Sequence, residues 1–395
     1  MEEIRFYRDK NLQIIFGVTL MAVLGVASIA PAFPRIMDEL DISGGQIGLL
    51  ITFFTMPGVF LAPFLGILAD RFGRKRILVP SLFLFAIAGT ACYFARDFNV
   101  LLALRVFQGV GGASLGSLNA TIIGDLYPER QRVQAMGANA SVLSIGTALY
   151  PIIGGALALI GWYYPFALPI VAIPIGILVL TSLKNPEPKS HQALKEYLWG
   201  TWRCLKDIKA AGLFAAGVLT FIILYGAYIT YFALLLENSF GASPFIIGLI
   251  MSAMAFTTAI VSSQLGRMNR WLSLGAIIKL SFAVYALALA LIPLMPSLWL
   301  LLIPSIIFGI AQGANIPSIQ TGLVSIAPME YRAAFMSISA TMLRLGQTVG
   351  PPLMGLVYVC CGMDAVFYVA AALALMAPAA AIVLGKRSTR SELSG

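Results

Sequence analysis

Two arginines stand inside stretches that are otherwise almost wholly apolar. Arg105 lies in the run Leu102-Ala-Leu-Arg105-Val-Phe-Gln108-Gly109, and Arg344 lies in Met342-Leu-Arg344-Leu-Gly346. Charge is expensive in an apolar medium, so such residues are candidates for binding a substrate or coupling its movement to an ion. Each also has a plainer role open to it. Arg105 is within snorkelling reach of the end of its stretch, and Arg344 can hold a backbone carbonyl. Lys279 is a third internal cation, placed to snorkel to an interface. Proton coupling wants a carboxylate whose pKa moves through neutrality as it is buried and exposed. All seventeen acids fall at stretch ends, loops or termini. Glu237 and Asp125 stand nearest an expected cavity and join Arg105 and Arg344 as coupling candidates.

A second constellation reads Gly66-Ile-Leu-Ala-Asp70-Arg71-Phe-Gly73-Arg74-Lys75-Arg76, a burst of charge in a chain whose charged residues total 11%. A carboxylate at Asp70 can stabilise the positive amino end of a neighbouring helix. Arg71 and Arg74 can pair with Asp125 and Glu129. Such contacts make a latch that shuts one side of a carrier and breaks when that side opens.

These residues need membrane helices to position them. Hydrophobic residues make up 59% of the 395, and mean hydropathy is +0.89, well above the roughly 45–50% apolar usage of soluble domains. Cutting at charge and Pro/Gly clusters predicts twelve stretches of membrane-spanning length: 12–34, 46–69, 77–95, 99–122, 133–158, 163–183, 211–236, 244–266, 273–294, 298–322, 333–358 and 364–385. They are continuously apolar rather than alternating, which argues against a β-barrel. The first is too long for a signal-peptide core and is expected to be retained. With both termini inside, 21 Lys and Arg fall on the inner side and only Arg35 and Arg96 on the outer, which sets the orientation. Topology and anionic lipid account for the net charge of +9 without a nucleic-acid partner. Cys92, Cys204, Cys360 and Cys361 have no metal-ligand spacing and read as packing residues. His191, the single histidine, falls in the central loop and reads as solvated. No nucleotide loop, metal cluster or nucleophile–base set favours an enzyme.

The chain repeats itself. Gly146-Thr-Ala-Leu-Tyr150-Pro151-Ile-Ile-Gly154-Gly155 returns, 200 residues on, as Gly346-Gln-Thr-Val-Gly350-Pro351-Pro-Leu-Met-Gly355. The same offset pairs Pro128 with Pro328, Arg132 with Arg332 and Met136 with Met336. Two six-helix bundles, 1–183 and 211–395, joined by a cytoplasmic linker 184–210, are the natural reading. A parallel repeat of this kind places a cavity between the halves and transports by alternating access. Aligned on Arg71 and Arg267, the second half carries a worn copy of the charged turn: Gly266 stands for Asp70 and Asn269 for Gly73, while Arg270 matches Arg74. The latch is expected to be stronger in the first half.

The spacing Gly66, Asp70, Arg71, Gly73, Arg74 resembles the signature of the second loop in the major facilitator superfamily of secondary transporters. There the loop is understood as a gate, with the Asp docking at the eleventh helix. The run around Arg105 to Ala113 resembles the superfamily's fourth-helix signature, whose Arg is associated with proton coupling. Gly146, Pro151, Gly154 and Gly155 resemble the fifth-helix signature of the drug/H+ antiporter branch, with Tyr150 standing where that pattern has Gly; Gly350 and Pro351 keep the Gly-Pro pair. The resemblance implies an all-α, twelve-helix carrier of the inner membrane, driven by the proton gradient with no other cofactor, monomeric, with a small-molecule substrate. Polar handles for that substrate are expected from Gln108, Asn119, Tyr225, Tyr228, Gln312, Asn315 and Gln347. Phe221, Tyr225, Tyr228 and Phe232 fall on one face of an α-helix. An aromatic cavity of this kind suits lipophilic solutes. The two arginines also suit an amphipathic anion, and the alternatives are export of a sugar or metabolite or uptake of an organic anion.

Overall fold

The computed structural model describes residues 9–184, 208–326 and 332–376. Among the described residues there is no strand. The helices are α1 (Lys10–Glu39), α2 (Leu49–Phe72), α3 (Arg74–Ala91), α4 (Phe98–Leu126), α5 (Glu129–Ile160), α6 (Tyr164–Ser182), α7 (Lys209–Phe240), α8 (Pro244–Ser263), α9 (Leu274–Leu291), α10 (Leu302–Ile326), α11 (Arg332–Cys361) and α12 (Met363–Met376). Segments α1 to α10 are long and apolar enough to cross a bilayer, α11 runs for 30 residues, and α12 is a shorter apolar helix. Large apolar side chains such as Phe60 and Val359, each about two-thirds exposed, face outward. Surface of that kind needs lipid as its solvent.

Local chemistry sets the helix ends. Asp9 caps α1 by accepting from the Asn11 amide at 2.9 Å. Asp97 caps α4 through the amides of Asn99 and Val100, as side-chain acceptors do for the orphan donors of a first turn. Gly73 turns the chain between α2 and α3 with φ 103°, and Gly241 ends α7 in the left-handed region at φ 63°, both conformations that favour glycine.

Three stretches depart from plain α-helix. The predicted single helix 99–122 is two, Phe98–Gly112 and Leu115–Leu126. The break follows Gly111 and Gly112, where Gly111 abuts the carbonyl of Ser81 and Ser114 Oγ donates to Ser81 Oγ at 2.9 Å. The sixth helix opens as a 3-10 turn through Pro165 and Pro169 before continuing at Ala172. In α7, Ile222–Tyr231 is a π-helix, and Thr230 Oγ1 donates to the Tyr225 carbonyl at 2.7 Å. A π segment widens the turn and shifts every side-chain direction, so the α-period aromatic face expected here is split.

The described chain forms two compact units. The first takes in 9–43, 49–184 and 243–249; the second takes in 44–48, 208–242, 250–326 and 332–376. Each therefore holds a short segment from the other half of the sequence, a feature the predicted division at 183 and 211 lacks. Of the predicted linker, 185–207 lies outside the described residues, with His191 and Cys204. In the first unit, Gly154 of α5 sits against the Ser28 carbonyl and Gly146 against Leu20 of α1. The second packs Phe214, Ile319, Leu323, Phe335 and Ile338 into one apolar cluster. Cys92 is buried, but Cys360 and Cys361 at the end of α11 are exposed, which corrects their reading as packing residues.

Candidate functional site

In the first unit Arg105 does not snorkel. It is fully buried, and its guanidinium donates from Nε to the Leu50 carbonyl at 3.1 Å, from Nη2 to the Gly25 carbonyl at 2.8 Å and from Nη1 to Gln108 Oε1 at 2.7 Å. Its plane lies over the Phe54 ring, 4.3 Å from the centroid. Arg105 thus fastens α4 to the middle of α1 and the start of α2. Glycines make room for this knot: a Cβ at Gly25 would strike the Phe54 ring, and one at Gly109 would strike the Phe54 carbonyl. Close backbone approach through small residues is how membrane helices gain packing energy where no hydrophobic drive exists.

Nearby, Asn119 donates to Thr19 Oγ1, and Thr19 bonds Asn139 Oδ1, linking α4, α1 and α5. Gln108 and Asn119 are almost fully buried in these contacts. Both were expected as substrate handles, and the structure places them in helix–helix packing instead. In the second unit the same correction applies to three others. Tyr285 Oη donates to Gln312 Oε1, and Asn315 Nδ2 donates to Thr220 Oγ1 at 2.7 Å. Tyr228 is stacked on Phe232 and Phe308 at centroid distances of 4.8 and 4.5 Å, with no exposed surface. A polar side chain inside a span must satisfy itself, and a neighbouring helix does so more readily than a transient ligand.

Tyr225 and Gln347 differ. Both are only partly buried. Arg344 and Gln347 lie on α11, which packs on the turns of α7 that carry Tyr225. Phe221 stacks on Tyr225 at 5.6 Å with 17° between the planes. The glycines of α11 build this site. Gly346 lies against the Val218 carbonyl and Phe221 Cβ, and Gly350 against the Ile222 carbonyl and Gly226 nitrogen. Their missing side chains let α11 settle on the π segment of α7.

At the charged turn, Arg74 is buried and ion-paired with Asp125. Arg71 is exposed, and the side chains of Asp70 and Glu129 lie outside the described residues. Docking of Asp70 therefore lies outside the described residues too. Lys75 Nζ donates to the Leu183 carbonyl at 3.2 Å, closing the end of α6. Gly66 has open space where a Cβ would go. Tyr127 Oη donates to Asp9 Oδ2 at 2.6 Å, tying the end of α4 to the start of α1. Burial first, and then the Asp9 carboxylate, push the Tyr127 phenol up, so it stays protonated and donating. In the second unit's copy the Arg267 guanidinium donates to Gln264 Oε1 at 2.8 Å, and Arg270 and Ser325 are exposed. Glu237 is half-buried near the end of α7, and Lys279 is exposed beside Leu280. Among the described residues no cluster of metal-binding side chains occurs.

Thr19, Asn139, Thr220 and Tyr285 were not among the expected site residues, although each is a polar side chain inside a predicted span. The carbonyls of Gly25 and Leu50 carry no sequence signal.

The family model described as Major Facilitator Superfamily matches residues 15–278 and 216–394. Among curated proteins, the chain is 26% identical over 356 residues to "Multidrug resistance protein 1" of Bacillus subtilis (strain 168), covering 89% of this chain and 90% of that one. It is 27% identical over 364 residues to the "Bacillibactin exporter" of the same strain, covering 87% and 88%. It is 24% identical over 357 residues to the "Quinolone resistance protein NorA" of Staphylococcus aureus, covering 89% and 90%. Its fold is similar to that of the nucleoside transporter NupG (TM-score 0.78, 16% identity, 96% of this chain and 99% of that one). It is also similar to the human organic anion transporter MFSD10 (TM-score 0.71, 18% identity, 94% and 98%).

Proposed function

This chain belongs to the Major Facilitator Superfamily, and from that premise we propose that it exports lipophilic compounds across a bacterial inner membrane in exchange for protons. The observation that carries the direction is α5. Gly154 and Gly155 pack backbone to backbone, against Ser28 and against Pro244, in the pattern that resembles the exporter branch. Full-length likeness to proteins named for drug resistance and siderophore export supports the same direction. The two-unit architecture supports alternating access of a small-molecule cargo, and we read the carrier as a monomer. The Lys and Arg distribution supports a cytoplasmic position for both termini.

Energy comes from the proton gradient, and the coupling group is one of few. Asp125 is engaged with Arg74, which leaves Glu237 as the half-buried carboxylate of α7. Arg105, sealed among carbonyls, supports the packing of the first unit rather than the passage of a proton. The reading predicts that expression in an efflux-deficient bacterium lowers steady-state accumulation of a lipophilic fluorescent dye, and that a protonophore restores it. Equal dye accumulation with and without the protein, across cationic, neutral and anionic dyes, would reject export.

A further inference from the structure

We propose that the turn between α8 and α9, through Arg267, Arg270, Trp271 and Lys279, is a binding site for the headgroup of an anionic phospholipid. The first argument is charge. Between Glu237 and Glu330 the chain carries three charged residues, and they are Arg267, Arg270 and Lys279. All three are exposed. In the first unit the matching turn meets an anion of its own, because Arg74 is buried against Asp125. The second unit has Gly266 and Ser325 where the first has Asp70 and Asp125. An anion for its cations must come from outside this stretch.

The second argument is depth. Helices α8 and α9 are both long and apolar enough to cross a bilayer, so residues 264–273 between them lie at the membrane surface. Trp271 is 88% exposed there. An indole with an apolar body and one N–H donor is most at home among headgroups. Arg267 and Arg270 are three residues apart, close enough to share one phosphate. The Lys and Arg distribution puts this turn on the cytoplasmic side, where anionic lipids attract basic segments.

The third argument is the direction of Lys279. On α9 the exposed residues Lys279, Leu280, Ala283 and Leu287 fall within one arc, and Ser281, Phe282, Tyr285 and Leu289 are buried on the opposite arc. Lys279 therefore faces lipid. It lies about 7.5 Å along the helix from Leu274, at 1.5 Å per residue, and helical side chains lean toward the amino end. Its ammonium thus snorkels toward the level of Trp271 and the arginines. The same end of α9, capped by Ser273 on the Ala276 amide at 3.3 Å, adds the positive end of the helix dipole. A headgroup with an ammonium of its own finds no acidic side chain between residues 264 and 280, which favours a lipid of net negative charge.

The test follows Trp271 fluorescence in the full-length protein, reconstituted in phosphatidylcholine nanodiscs. Brominated phosphatidylglycerol or brominated phosphatidylethanolamine is titrated in, since bromine quenches an indole that it touches. Subtracting the signal of the Trp271→Phe variant isolates this one indole. The phosphatidylglycerol is expected to reach half-quenching at a mole fraction about fivefold lower than the phosphatidylethanolamine, the factor given by about 1 kcal/mol of attraction. Arg267→Gln, Arg270→Gln and Lys279→Gln together, measured with and without Trp271→Phe, are expected to bring the two curves into coincidence. Should that variant fail to fold, the wild-type midpoints decide alone. Coincident curves in the wild type, a lower midpoint for phosphatidylethanolamine, or a preference that survives the triple substitution would overturn the site. The readout involves no transport, so its outcome is separate from that of the export reading.

Discussion

Gly248 and Pro151 touch backbone to backbone: a Cβ at Gly248 would collide with the Pro151 carbonyl, within the first unit. In the second unit Gly48 meets Pro351, whose Cβ is 2.7 Å from where a Cβ at Gly48 would sit. The two pairs are related by the 200-residue repeat, with partners exchanged. Gly155 against the Pro244 carbonyl and Gly355 against the Gly45 carbonyl extend the same reciprocity. Proline bends its helix, and glycine lets the neighbouring backbone come close at the bend. Repeated sequence has become repeated packing.

That packing can be graded by substitution. Gly154→Ala or Gly248→Ala is expected to destabilise the protein by about 1–3 kcal/mol, because no flexible side chain can yield to the new methyl. Gly66→Ala and Gly266→Ala enter open space and are expected to stay within about 0.5 kcal/mol of the wild type. Thermal unfolding in detergent ranks the four; equal losses at all of them would contradict the contacts described.

The Arg74–Asp125 pair is expected to be energetically coupled. Removing either partner leaves a mostly buried charge behind, at a cost of about 3–5 kcal/mol, whereas removing both costs less than the sum. A double-mutant cycle with Arg74→Gln and Asp125→Asn measures this directly. Arg270→Gln, at the exposed copy, is expected to change stability little. Additivity of the first pair would mean that the ion pair does not latch α3 to α4.

Much of this was legible in the sequence, and the exceptions have physical causes. Helix positions follow from apolar length, because lipid demands continuous apolar segments. The asymmetry of the charged turn is read from Gly266 standing for Asp70 and Asn269 for Gly73 in the second half. The polar handles were misjudged: sequence marks Gln108, Asn119, Gln312 and Asn315 as polar within a span but cannot say whether a ligand or a neighbouring helix satisfies them. Their partners, Thr19, Thr220, Tyr285 and the Arg105 guanidinium, are distant in sequence or lie on other turns. The π segment left no trace either, since Ile222–Tyr231 reads as good α-helix and its register is set by how α11 packs on it. Tyr228, counted on an α face with Tyr225, ends in a different environment for that reason.

Arg105→Lys separates charge from geometry. Lysine keeps the charge, but it loses the planar fork that reaches Gly25, Leu50 and Gln108 together. The expected result is a stability loss of about 1–3 kcal/mol from unsatisfied buried acceptors, with transport falling in step with folded protein. Full stability with selectively lost proton coupling would assign Arg105 to coupling instead.

Tyr228 and Tyr225 should part company when each loses its hydroxyl. Tyr228→Phe preserves the stack on Phe232 and Phe308 and is expected to leave transport unchanged. Tyr225→Phe removes the hydroxyl of a partly exposed ring and is expected to lower substrate affinity several-fold. Titration of transport rate against substrate concentration distinguishes the two, and equal effects would place both rings in the same role.

The central claim is exchange of a lipophilic solute for protons. Purified protein in sealed liposomes, with a pH-sensitive dye in the lumen, tests it most directly. Substrate added on one side is expected to drive proton movement in the opposite direction, and an imposed pH gradient is expected to concentrate substrate against its own gradient. Reversing the pH gradient is expected to reverse the accumulation. Substrate movement that is indifferent to the pH gradient, with no accompanying luminal pH change, would contradict the account.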